Sequence, residues 1–241
     1  MIGFIYKDIC TNRMHIALIL GVHSFLNILC PIMLLLDDDN AISRAGLFTT
    51  GFLTMMVCCS FMIVGAFAMN FVQTDERKKW GYYVVSLPNG KRKQVFAKYI
   101  FVAGILGLTF CIVIGINLIF KAINSNFPDI LSITVAILSI ELIMKAIEMP
   151  CIIAFGTKIG TQVKGGLMAL VIAFAAVYAM FGDLSWLGSE ENIWENIFEF
   201  LNDFRFAKFG IILLAISIPV YIISCLISTK LYIKGIERME K

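Results

Sequence analysis

Glu141, Lys145 and Glu148 are the residues of this 241-residue chain whose types and spacing most invite chemistry. They fall at i, i+4 and i+7, which puts all three on one face of a helix. Their surroundings, from about Ile130 to Phe155, are otherwise almost wholly apolar. Glu141 precedes Lys145 in the order that favours an intrahelical pair. A charge at the middle of a membrane-spanning helix costs about 2.5–3.5 kcal/mol on insertion scales, so this face must meet protein, water or cargo rather than lipid. Three chemistries fit. The group is a paired network holding helices together, a polar lining of a translocation path or subunit interface, or a proton relay. No second acidic span accompanies it, which argues against the relay. Pro150 follows, removes a backbone N–H and is expected to kink the helix.

A second group lies in the longest stretch that a bilayer would reject, residues 72–94. It carries two basic clusters, Arg77-Lys78-Lys79 and Lys91-Arg92-Lys93, with Trp80, Tyr82, Tyr83, Val84, Val85 and Leu87 crowded between them. Asp75 and Glu76 precede the first cluster, where carboxylates suit the start of a short helix. Pro88 ends that unit. Basic side chains alone fit a loop that binds anionic lipid. The apolar ridge between them fits a helix that docks on another protein.

Several chemistries are missing. The chain has no G-x-x-x-x-G-K-[ST] loop, no H-E-x-x-H and no G-x-S-x-G, so it carries no ATP-hydrolysing or common hydrolase motif of its own. His15 and His23 are the only histidines, and no carboxylate or cysteine cluster accompanies them to form a metal site. The seven cysteines form no C-x-x-C and read as small apolar residues rather than disulfide or zinc ligands.

Composition fixes the class. Hydrophobic residues make up 59% of the chain and charged residues only 15%, where a soluble domain carries about 25% charged. Mean hydropathy is +0.87. The apolar residues fall in blocks long enough to cross a bilayer. An all-α membrane protein of six transmembrane helices follows, one domain over 1–241. The spans are expected at about 16–36, 47–71, 95–120, 130–155, 167–181 and 206–229. Residues 1–15 read as a short interfacial helix. The first span is read as a retained helix rather than a cleaved leader. Residues 182–205 place Ile193, Trp194, Ile197, Phe198, Leu201 and Phe204 at helical spacing among acids, an amphipathic outer segment before the last span. Of the twenty lysines and arginines, Lys145 lies within a span and Arg44, Lys121, Arg205 and Lys208 fall outside. The other fifteen fall inside if the N-terminus is cytoplasmic. The positive-inside rule therefore gives N-in and C-in.

The segment Asp75-Glu76-Arg77, Trp80, Ser86-Leu87-Pro88, Lys91-Arg92 and Lys98-Tyr99 resembles the ABC-2 class of ABC transporter permeases. Tyr6-Lys7-Asp8 in the N-terminal stretch and the six-span plan are similar to that class as well. The resemblance covers essentially the whole chain. It implies a permease that pairs with a second permease copy and with two copies of a cytosolic ABC ATPase. ATP and Mg would belong to that ATPase, with no cofactor in this chain and no nucleic acid. The residues implied to engage the ATPase as a coupling helix are Asp75, Glu76, Arg77, Lys78, Lys79, Trp80, Tyr83 and Leu87. The outer helices before the last span would close the exit. Among such permeases the chain looks most like exporters of amphipathic peptides, of the phenol-soluble-modulin or antimicrobial-peptide kind, in a bacterial cytoplasmic membrane. The alternative is a self-sufficient six-span channel or ion-coupled carrier that uses Glu141, Lys145 and Glu148.

Overall fold

The computed structural model describes residues 2–36, 39–77, 84, 87, 90–124, 127, 129–181 and 204–239. Six helices account for nearly all of them: α1 (Ile2–Leu36), α2 (Asp39–Arg77), α3 (Gly90–Ile123), α4 (Leu131–Phe155), α5 (Thr157–Phe181) and α6 (Phe204–Met239). No strand occurs among the described residues. In an apolar medium a helix satisfies its backbone groups within one segment, which is why blocks of this composition take that form.

Four helices contain stretches long and apolar enough to cross a membrane: Ile2–Leu29, Gly51–Asn70, Arg92–Ile123 and Phe206–Ile233. The other two differ for local reasons. Every 18-residue window of α4 contains Glu141, Lys145 and Glu148. In α5 the apolar stretch is the shorter Ala169–Tyr178.

The helices are longer than the sequence blocks. Residues 1–15 do not form a helix of their own, because α1 runs unbroken from Ile2. No proline or glycine separates the amphipathic start from the apolar run. At 1.5 Å per residue, 35 residues extend about 52 Å, well beyond a hydrocarbon core of about 30 Å. Likewise α5 begins at Thr157 rather than near residue 167. Gly156, at φ 85°, is the sole non-helical residue between α4 and α5. A side chain on Gly160 would collide with Ile152, so this glycine lets α5 fold back on the end of α4. The expected outer segment over 182–205 lies outside the described residues apart from the first turn of α6.

Pairwise contacts set the helix directions. Asp8 meets Lys98 and His23 meets Thr109, so α1 and α3 run parallel. Tyr99 meets Ser224 while Gln94, closer to the start of α3, meets Tyr232, so α3 and α6 run antiparallel. Gly210 packs on Ser132 and Ala136 while Ser224 meets Ala146, so α4 and α6 run parallel in the most extensive helix pairing of the fold. Phe61, Val64, Val102, Leu106 and Met149 are fully buried between these helices. One end of the bundle therefore gathers the starts of α1 and α3 and the end of α6.

A second polar set ties the middle of the bundle. His23 lies within 3.3 Å of the Thr109 carbonyl through Nε2 and stacks edge-on to Phe61. Asn27 donates to Ser60 at 3.2 Å, linking α1 to α2. At the far end of α3, Lys121 pairs with Asp129 at 2.9 Å, and Asp129 accepts the backbone N–H of Leu131 at the start of α4. The Lys121 ammonium holds the Asp129 carboxyl below its ordinary 3.8.

Candidate functional site

The α2–α3 junction is where the sequence concentrates its basic and aromatic residues. Asp75, Glu76 and Arg77 lie in the last turn of α2. Lys78, Lys79, Trp80 and Tyr83 lie outside the described residues. Val84 is fully buried, and its carbonyl accepts the N–H of Leu87 at 3.1 Å. Gly90 then donates to the Leu87 carbonyl at 2.9 Å, closing a second turn directly into α3. A side chain on Gly90 would strike the Val84 carbonyl, so this glycine permits the tight entry. Leu87 is exposed, placing an apolar side chain outward at the junction. The junction is therefore anchored by Val84 while presenting Leu87.

The first ten residues of α3 carry ties to other helices. Lys98 Nζ pairs with Asp8 Oδ2 of α1 at 3.2 Å, and Lys7 holds the other carboxylate oxygen at 3.0 Å. Asp8 and Lys98 are both buried. Two cations around one buried carboxylate satisfy the rule that such charges are paired. The neighbouring residue, Tyr99, faces α6. Its hydroxyl contacts Ser224 Oγ at 2.8 Å and Ser228 Oγ at 2.7 Å, and its carbonyl accepts the hydroxyl of Tyr221 at 2.8 Å. Gln94 accepts from Tyr232 at 3.1 Å. Consecutive residues of α3 thus grip α1 on one side and α6 on the other.

In α4, Lys145 and Glu148 form an ion pair at 2.7 Å and are almost completely shielded from solvent. Glu141, also buried, sits one turn earlier and packs on α2. A Cβ placed on Gly65 would lie 2.6 Å from Glu141 Oε2 and 3.3 Å from Lys145 Cε. Gly65 is therefore the opening in α2 that admits this charged face. Glu141 and Lys145 therefore lie at the contact of α4 with α2, and Glu148, paired with Lys145, is buried in the chain's interior. Among the described residues no cluster of His, Cys, Asp or Glu is arranged to hold a metal ion.

Two parts of this site escape pattern reading. Tyr6-Lys7-Asp8 and Lys98-Tyr99 stand out in the sequence, but nothing in their spacing says that Asp8 and Lys98 meet across about ninety residues. Gly65 carries no signal beyond being one small residue among many in α2. Ser224 and Ser228, spaced i, i+4, do mark a polar face on an otherwise apolar helix.

The amino-acid sequence matches a known family along nearly the full chain. Residues 3–233 fit the model of an ABC-2 family transporter protein. The chain belongs to the ABC-2 transporter family. No curated protein and no solved structure matches it. As an ABC-2 permease it is a multi-pass membrane component of an ABC transporter, working with an ATPase partner rather than catalysing a reaction itself.

Proposed function

We propose that this ABC-2 permease is a six-span exporter subunit with both termini in the cytoplasm of a bacterial cell. Two copies pair, and two ATPase subunits drive them by gripping the coupling segment at residues 72–94. The amphipathic outer segment at 182–205 closes the exit. The cargo is an amphipathic peptide of the toxin or antimicrobial kind, suited to an apolar pathway with few charges. One observation carries the partner-driven part: the basic, aromatic junction leads directly into α3 at the bundle end where α1 begins and α6 ends. A partner gripping that junction would reach three helices at once. Family membership favours this reading over a self-sufficient carrier.

The burial of Glu141, Lys145 and Glu148 supports the packing reading of that group: the ion pair is made within α4, and Glu141 and Lys145 pack against Gly65 of α2. Such a role does not require the charges to touch cargo.

Affinity purification of the tagged chain from its native membrane tests the assembly. The expected result is an ATP-hydrolysing subunit retained at equal stoichiometry, with vesicles that load amphipathic peptide only when ATP is supplied. A chain that purifies alone and moves peptide on an ion gradient would contradict it.

A further inference from the structure

Pro150 lies inside α4 rather than at its end. Its ring carries no N–H, so the carbonyl of Ala146, four residues earlier, receives no donor from its own helix. A buried carbonyl requires a partner. That partner comes from α6: Ser224 Oγ donates to the Ala146 carbonyl at 2.5 Å.

This one hydrogen fixes the direction of the others. A serine hydroxyl has a single proton. With that proton on Ala146, the 2.8 Å contact must be Tyr99 donating to Ser224. The Tyr99 proton is then committed, so Ser228 donates to Tyr99 across 2.7 Å. The result is an ordered chain, Ser228 to Tyr99 to Ser224 to the Ala146 carbonyl, crossing α6, α3 and α4.

The chain also has a second state available. Serine and threonine in helices can turn their hydroxyls back to the carbonyl four residues earlier. Thr134, Ser139 and Thr229 already do so in this fold, at 2.7, 2.7 and 2.8 Å. If Ser224 turned back in that way, its own hydroxyl would stay satisfied, Tyr99 would keep Ser228 as a partner, and the Ala146 carbonyl would be released. The geometry points to a releasable clamp on the proline break of α4, in which Tyr99 and Ser224 are positioning residues that pass displacement of α3 to the part of α4 beyond Pro150.

The mechanical logic follows from the neighbours of Tyr99. α3 starts directly out of the junction at Gly90, and Gln94, Lys98 and Tyr99 tie its first ten residues to α6 and α1. A pull on the junction therefore reaches Tyr99 within three helical turns. Beyond Tyr99 the contact with α4 falls at the one carbonyl that the proline leaves free. This inference deepens the partner-driven reading and rests on it.

Electron-paramagnetic distance measurements on the reconstituted transporter, permease with its ATPase, test the clamp. Spin labels go at Phe155→Cys and Leu226→Cys, both exposed, with Ile140→Cys and Ile212→Cys as the control pair before the break. The background lacks the seven native cysteines. Distances are compared without nucleotide and after trapping with ADP and vanadate. The expected result is a shift in the 155–226 distance on trapping, with the 140–212 distance unchanged. Ser224→Ala is expected to give the trapped distance without nucleotide, and Ser224→Thr, which keeps the hydroxyl, to restore the wild-type response. An unchanged 155–226 distance in a complex that hydrolyses ATP would overturn the clamp and leave the partner-driven reading intact. So would a Ser224→Ala variant that behaves as wild type. A permease that binds no ATPase would refute the reading beneath it, and the clamp with it.

Discussion

Replacing Ser224 by alanine should destabilise this permease, and replacing Pro150 by alanine should remove most of that effect. Ser224→Ala deletes the donor that α6 supplies to the Ala146 carbonyl across 2.5 Å. Leaving a buried acceptor unsatisfied costs about 1–3 kcal/mol. Tyr99 would also lose one of its two hydroxyl contacts, which places the expected loss toward the upper part of that range. In the Pro150→Ala background, residue 150 regains an N–H and α4 can supply the missing hydrogen bond itself. The second loss of Ser224 should then cost under about 1 kcal/mol, the worth of an ordinary net hydrogen bond. The coupling energy between the two sites is expected at about 1–2 kcal/mol, larger than the few tenths seen for independent positions. SDS-titration unfolding of the purified protein in mixed micelles, followed by tryptophan fluorescence, reads all four corners of the cycle. Equal losses for Ser224→Ala in both backgrounds would refute the reasoning, because the serine would then have no special relation to the proline.

Other perturbations address the buried charges and the Lys121–Asp129 pair. Lys145→Met should lower stability by about 3–5 kcal/mol, since it strands carboxylates in the interior of the chain. Lys145→Met combined with Glu148→Met should recover a large part of that loss in the same unfolding assay. A double variant as unstable as the sum of its singles would argue against the ion pair. Lys121→Gln should act mildly, by under about 1 kcal/mol, because the pair is largely exposed. The Lys121 hydrogen bond lowers the Asp129 carboxyl below its ordinary 3.8, so the contribution is present above that value and disappears as pH falls through the depressed one. Thermal unfolding of wild type and variant should therefore differ at neutral pH and converge in acid.

The class of the protein and its family were legible in the sequence for separate reasons. Long apolar blocks specify helices wherever backbone groups cannot reach water, and that rule needs no tertiary information. The family resemblance rested on short basic and aromatic elements around the junction, and the match over residues 3–233 bears it out at the family level. Helix ends were less legible. The start of α1 is polar enough to read as a separate surface helix, yet no residue between Ile2 and Ile16 interrupts the backbone ladder, and α1 continues through. The same holds for α5, where Gly165 and Gly166 suggest a turn that the helix passes over.

The i, i+4, i+7 spacing of Glu141, Lys145 and Glu148 correctly put them on one face. It did not say what that face meets, because Gly65 lies in another helix and only the fold aligns them. The ties of Asp8 to Lys98 and of Tyr99 to Ser224 span about ninety and 125 residues, distances over which spacing carries no information. Pro150 was the more readable signal. A proline within a helix implies a freed carbonyl four residues earlier, and hence a donor somewhere else in the fold.

In the proposed assembly a partner ATPase grips the junction between α2 and α3. Trp80 is its most informative residue, an aromatic side chain between the two basic clusters. Trp80 replaced by the photoreactive p-benzoylphenylalanine, in cells that also express the ATPase, should cross-link on irradiation to the ATPase subunit, and charge reversal at Arg77, Lys78 and Lys79 should abolish that product. Cross-linking to lipid alone, with the ATPase still assembled on the permease, would contradict the account.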